Sequence, residues 1–220
     1  MMDTLLKPKI TNAITSDKQL FIKVITAPQQ AFRYIKEQNY EKYKICLLVL
    51  VGISNYIQQA YLLHYGEKMA FSEIIGMSIL AGPIQTLILI SCTSLMIYFT
   101  GSWLGGVANI KEIFNNLIYA SIPAVYILVL IIPQLLSFDE AFFASNLNVQ
   151  EISFDKMLMY QLFLNMRFIL SMIWLRAIVI GLAEIQQFSI IKSVISLIVS
   201  MFILMTSLLI ILYILDFHLI

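Results

Sequence analysis

The sequence predicts an all-α fold, a polytopic membrane bundle of five transmembrane helices with short amphipathic cytoplasmic helices. Three observations carry that expectation. Hydrophobic residues make up 60% of the chain and charged residues 12%, whereas a soluble domain carries roughly 25% charged residues. Five apolar stretches, at 45–63, 74–100, 116–137, 157–183 and 190–214, reach the roughly 20 residues that a bilayer core of about 30 Å requires. The basic residues outside these spans divide unevenly. With the N-terminus inside, Lys7, Lys9, Lys18, Lys23, Arg33, Lys36, Lys42, Lys44, Lys111 and Lys192 are cytoplasmic, and Lys68 and Lys156 are external. Ten against two is the bias of the positive-inside rule. The segment 138–156 adds Asp139, Glu140, Glu151 and Asp155 to the outer side, where the C-terminus is also expected.

Residues 1–44 read as a cytoplasmic segment ahead of a transmembrane domain at 45–220. No uninterrupted apolar run before residue 45 approaches the length of a signal-peptide core, so the N-terminus is expected to be neither cleaved nor exported. Leu20, Phe21, Val24 and Ile25 recur at helical spacing, interleaved with Lys18 and Lys23. Pro28 then suits the first turn of a new helix, where its missing N–H is not needed, and Phe32 and Ile35 follow on one face. Such a segment either lies on anionic headgroups or packs on the protein's own cytoplasmic loops.

Beyond the second span, Gly105-Gly106 ends the helix. Asn109 and Glu112 have the spacing of an N-cap with a supporting acid. Ile110, Ile113, Phe114, Leu117 and Ile118 then form an apolar stripe at i, i+3, i+4, i+7 and i+8. This is a candidate interaction elbow on the cytoplasmic side, continuous with the third span. Pro83 and Pro123 each remove one helical hydrogen bond within a span, so kinks are expected at both.

The ionisable residues inside the spans are the candidates for function. Arg167 lies near the middle of the fourth span, where a charge costs roughly 2.5 to 3.5 kcal/mol on insertion scales. It must face protein or water: either it pairs with freed carbonyls or a carboxylate, or it contacts a substrate or ion. Asn165 and Arg176, about three turns apart, share a different face, and Arg176 is near enough to the cytoplasmic end to snorkel. Ser189, Ser193, Ser196, Ser200 and Ser207 lie near one stripe of the fifth span, the pattern of a helix-packing seam or, less simply, a pore lining.

Catalysis finds no support in the residue pattern. Paired histidines at metal-ligand spacing, a nucleophile elbow and a phosphate-binding glycine loop are all missing from the sequence. His64 and His218 stand singly, and Cys46 and Cys92 sit within apolar stretches as small hydrophobes. No catalytic residue, metal ligand or cofactor is expected. The net charge of +1 argues against nucleic acid as a partner. Membrane lipids and other membrane proteins are the expected partners, self-association included. No inverted repeat of the kind found in many secondary transporters is visible. A non-enzymatic scaffold is the leading expectation, and a small-molecule or lipid transporter using Arg167 in a hydrated cavity is the alternative.

Three stretches carry a family resemblance. Ala27-Pro28-Gln29-Gln30-Ala31-Phe32, Leu104-Gly105-Gly106 through Ile118-Tyr119-Ala120-Ser121-Ile122-Pro123, and Trp174 through Gly181-Leu182-Ala183-Glu184 to Phe188-Ser189 resemble the Yip1 family of membrane proteins. The resemblance implies five membrane helices and a cytoplasmic N-terminus. Eukaryotic relatives act in vesicle traffic and associate with Rab-type GTPases and with one another. The Asp-Leu-Tyr-Gly-Pro-like motif of their longer cytoplasmic region does not precede the first span here, so the resemblance does not extend to a Rab-type partner. The short N-terminus looks more like the bacterial members, which implies a bacterial inner membrane rather than the ER or Golgi.

Overall fold

The computed structural model describes residues 16–144 and 153–218. Lys7, Lys9 and Glu151 of the charge count lie outside the described residues, as do the side chains of Asp139, Glu140 and His218. The described residues form helices and no strand: α1 Asp17–Thr26, α2 Pro28–Glu37, α3 Lys44–Leu62, α4 Phe71–Trp103, α5 Ile110–Ala120, α6 Ile122–Phe138, α7 Phe154–Gln186 and α8 Ile190–His218, with 3-10 turns at Tyr65–Glu67 and Asp139–Phe143. Five stretches, Lys44–Leu62, Phe71–Trp103, Ile110–Phe138, Phe154–Gln186 and Ile190–Ile210, are long and apolar enough to cross a membrane. Leu80, Ile84 and Ile198 are each more than 60% exposed on them, as lipid-facing side chains should be.

The chain groups into two compact units. Unit 1 combines the described residues up to Glu41 with Leu89–Leu117 and the chain from Ala177 onward; unit 2 combines Lys42–Ile88 with Ile118–Arg176. Helices α4 and α7 each contribute to both.

In unit 2, small residues let α3 and α4 meet at backbone distance. A Cβ placed on Gly52 would stand 2.5 Å from Pro83 Cα, and one on Gly82 would stand 2.5 Å from the Gly52 carbonyl oxygen. Only glycine permits that approach. Ser54 Oγ donates to the Ala124 carbonyl at 2.8 Å, tying α3 to α6. The core beside them gathers Ile57, Ala60, Ile74, Ile127, Ile131 and Phe138 with Phe142 and Phe143 of the second 3-10 turn.

The two prolines singled out from the sequence behave differently from each other. Helix α4 runs unbroken through Pro83. The third span instead breaks at Ser121, two residues before Pro123, which then sits in the first turn of α6, where a missing N–H costs nothing. Trp174 Nε1 donates to Ser121 Oγ at 3.2 Å at this break. A further proline, Pro133, lies inside α6.

Unit 1 is built on local signals that were legible in advance. Gly105, at φ +85°, ends α4: the Gly106 N–H reaches the Gly101 carbonyl at 2.8 Å and the Gly105 N–H reaches Ser102 at 3.1 Å, the paired bonds of a Schellman motif. The cap of α5 is reciprocal, with Glu112 Oε2 accepting from Asn109 N at 3.0 Å and Asn109 Oδ1 accepting from Glu112 N at 2.9 Å. Pro28 opens α2, as its chemistry requires.

Candidate functional site

Arg167 is the principal candidate, and its surroundings belong wholly to unit 2. The side chain is only 8% exposed. Its guanidinium lies 4.9 Å from the centroid of the Tyr61 ring and 6.0 Å from that of Phe142, within the range of a cation–π contact. The hydroxyls of Tyr61 and Tyr160 are hydrogen-bonded to each other. Tyr61 also stacks on Phe142 at 5.1 Å between centroids, and Phe138 meets Tyr160 edge-on at 5.8 Å. Aromatic faces from α3, the 3-10 turn and α7 lie beside the charge. Nη1 has no hydrogen-bond partner among the described residues. Tyr160 precedes Arg167 by two helical turns, an i, i+7 signal readable from sequence, whereas nothing local points to Tyr61.

The other polar residues singled out on α7 are not brought to Arg167. Asn165 is exposed and accepts from Gln161 Nε2, one turn earlier, at 3.3 Å. Arg176 is exposed as well. Buried Gln134 of α6, which donates to the Leu130 carbonyl at 3.1 Å, was not foreseen.

A second set of contacts fills unit 1. The ring of Phe32, fully buried, lies against Gly181 of α7; a Cβ there would stand 2.8 Å from Phe32 Cδ2, and Asn116 Oδ1 crowds the same glycine. Beside it, Glu184 accepts from Arg33 Nε at 2.6 Å and from Gln29 Nε2 at 3.0 Å, so both of its oxygens are used. Lys36 Nζ donates to the Ile185 carbonyl at 2.7 Å. The hydrogen bond to Glu184 raises the Arg33 pKa above its ordinary value, outweighing the effect of burial. A raised cation pKa stabilises the fold below the unfolded value and loses that effect only as pH climbs through the folded one. Arg33 therefore adds no pH dependence near neutrality. On the apolar face of α2, Ala31, Phe32 and Ile35 are thus buried, with Phe32 against α7.

Gln186, also buried, was missed. Its side chain lies against Gly101 and Gly106, its Oε1 accepts from Ala108 N at 3.1 Å, and its carbonyl accepts from Val107 N at 3.3 Å. Lys192 Nζ reaches the Leu104 carbonyl at 2.8 Å. Together these bonds clasp the end of α4 to the α7–α8 turn.

The serines of α8 divide by position. Ser196 and Ser200 are buried, each 2.8 Å from Thr100 Oγ1, and Ser193 Oγ donates to the Val179 carbonyl at 2.6 Å. Ser189 lies at the start of the helix, where its Oγ accepts from Lys192 N at 3.4 Å, and Ser207 is exposed. Of the elbow residues, Ile113 and Leu117 are buried in unit 1, Phe114 is half-buried and Ile110 is 42% exposed. Trp103 and Val107, just before the cap, are 74% and 61% exposed.

Parts of the three sequence stretches of the resemblance therefore meet in unit 1: Gln29 and Phe32 from the first and Asn116 from the second all contact the third at Gly181 or Glu184. The family model of the Yip1 domain matches residues 22–212, most of the chain. The chain belongs to the Yip1 family. No curated protein and no solved structure matches it. With five membrane-length apolar helices, this Yip1-family chain is a multi-pass integral membrane protein. Among the described residues, no three His, Cys, Asp or Glu side chains gather where they could hold a metal ion.

Proposed function

We propose that this Yip1-family protein is a non-enzymatic scaffold, its N-terminus in the cytoplasm, which organises partner proteins or local lipid. The observation that carries the reading is the enclosure of Arg167. A charge held on the rings of Tyr61 and Phe142 and 8% exposed has the environment of a structural element.

The interaction surface is the start of the elbow, where Trp103, Val107 and Ile110 are exposed around the Asn109–Glu112 cap. Ile110→Asp and Phe114→Asp are expected to reduce crosslinking to partners in native membranes while insertion stays intact. Unchanged partner recovery at normal expression would make the elbow a connector only.

The orientation has its own test. In a chain with Cys46 and Cys92 replaced by alanine, a cysteine at position 3 or 107 should resist an impermeant external reagent, and one at 145 should label. The opposite pattern in intact cells would invert the topology.

One observation favours a second reading. Arg167 Nη1 lacks a hydrogen-bond partner among the described residues, as it would if the arginine served a transported anion or small molecule.

A further inference from the structure

In unit 2 the outer faces of α3 and α4 are interrupted by a cluster of carboxamides. Gln85 Nε2 donates to Gln59 Oε1 at 2.8 Å, and Asn55 Nδ2 donates to Thr86 Oγ1 at 3.3 Å. Asn55 and Gln85 are exposed, and Ile84 and Ile88 beside Gln85 are 61% and 59% exposed. Gln85 lies fourteen residues, counting 85 minus 71, from the start of α4, and it is farther still from the other end. At 1.5 Å per residue that is about 21 Å, so a hydrocarbon core of about 30 Å contains Gln85 wherever it falls along the helix.

Hydrocarbon offers an amide no hydrogen bond. A carboxamide can donate twice and accept twice, yet the Gln59 nitrogen, the Gln85 oxygen and the Asn55 oxygen have no partner among the described residues. Exchanging oxygen and nitrogen within the Gln59–Gln85 pair would leave the same inventory, one open donor group and one open acceptor. Such a surface is complementary to itself. A second copy in the same bilayer, related by a two-fold axis along the membrane normal, presents every group at its own depth. The Gln59 nitrogen of each copy can then donate to the Gln85 oxygen of the other. A foreign helix would need amides at the same depth in reciprocal order. The backbone approach of Gly52 to Pro83 fixes the two helices that carry the cluster. The exposed Gln161–Asn165 pair, by contrast, is joined at 3.3 Å within α7 alone.

We infer that the α3–α4 carboxamide cluster is the surface on which two copies of this chain pair within the membrane. The inference rests on the scaffold reading for its role in the cell but fails separately from it, because the elbow substitutions are read by crosslinking to other proteins.

Full-length chains carrying a donor or an acceptor dye at the N-terminus would be reconstituted together in phosphatidylcholine vesicles, and energy transfer followed as lipid is added. Transfer in the wild type should fall along a dimer isotherm. Gln59→Leu combined with Gln85→Leu removes both amides of the pair and orphans neither, so the melting temperature should hold. The dimer dissociation constant should rise about tenfold, two interhelical contacts being lost. Gln161→Leu combined with Asn165→Leu should leave the isotherm in place. A wild type with no transfer beyond random collision would overturn the inference and leave a different membrane protein as the occupant. So would unchanged affinity in the Gln59 and Gln85 variant, or a loss that follows the α7 pair instead. Should that variant not fold, single cysteines in a chain with Cys46 and Cys92 replaced by alanine decide. Oxidation should couple copies bearing Ile88→Cys into disulfide dimers, and not copies bearing Ile198→Cys, a position 62% exposed on α8. Equal yields from the two, or none at position 88, would reject the surface.

Discussion

Gly52→Leu is expected to yield no folded protein, and Gly52→Ala to cost about 1–3 kcal/mol, the range for overpacking a filled interior. The cause is that a Cβ at Gly52 meets the backbone of Pro83 and Gly82, not the movable end of a side chain. Neither helix can yield locally, because α3 is also held to α6 by the Ser54–Ala124 bond. Gly76 provides the control on α4, since a Cβ there meets nothing within 4 Å. Gly76→Ala should be neutral or stabilise by up to about 1 kcal/mol through helix propensity. Thermal melts of the detergent-extracted proteins compare the two. Equal behaviour of the two alanine variants would mean that the α3–α4 approach is not close-packed.

Arg167→Gln is expected to lower stability by about 2 kcal/mol, the value of a desolvated cation over an aromatic face. The loss should depend on Tyr61. In a Tyr61→Leu background the same substitution should cost much less, the signature of two groups in direct contact. An unpaired Nη1 predicts something else if the arginine serves a ligand: Arg167→Gln would then melt as the wild type does, and substrate binding or flux in reconstituted vesicles would fall. That outcome would count against the structural role and place transport ahead of scaffolding.

What the sequence made legible was local. The spans follow from length and apolarity, and the Schellman end at Gly105 and the cap at Asn109 are complete within six residues or fewer. Pro123 was recognised as an interruption, but proline chemistry allows either a kink within a helix or a place in a first turn, and the break at Ser121 selected the latter. The surroundings of Arg167 resisted sequence reasoning for a different reason. Tyr61 stands 106 residues before it, counting 167 minus 61, and no periodicity links residues so far apart. The same holds for Gly52 and Gly82, whose contact has no signature within either helix, and for Gln186 against Gly101 and Gly106. Ile113 and Leu117 show the limit of an amphipathic stripe: spacing identifies an apolar face but not whether lipid, a partner or the protein itself covers it.

The order in which the buried polar groups acquire their partners bears on biogenesis. Thr100 leaves the ribosome long before Ser196 and Ser200, yet its hydroxyl lies 3.0 Å from the Met96 carbonyl, and Ser94 Oγ donates to Ile90 at 2.6 Å. These two hydroxyls of the second span can thus enter lipid satisfied within their own helix. Arg167 has no such recourse, but Tyr61, Phe142 and Tyr160 all precede it in translation. The fourth span therefore meets ready-made aromatic faces as it emerges, and the last span finds Thr100 and Val179 already in place for its serines. Assembly can proceed vectorially from the N-terminus, with no arginine waiting in hydrocarbon for a helix not yet synthesised.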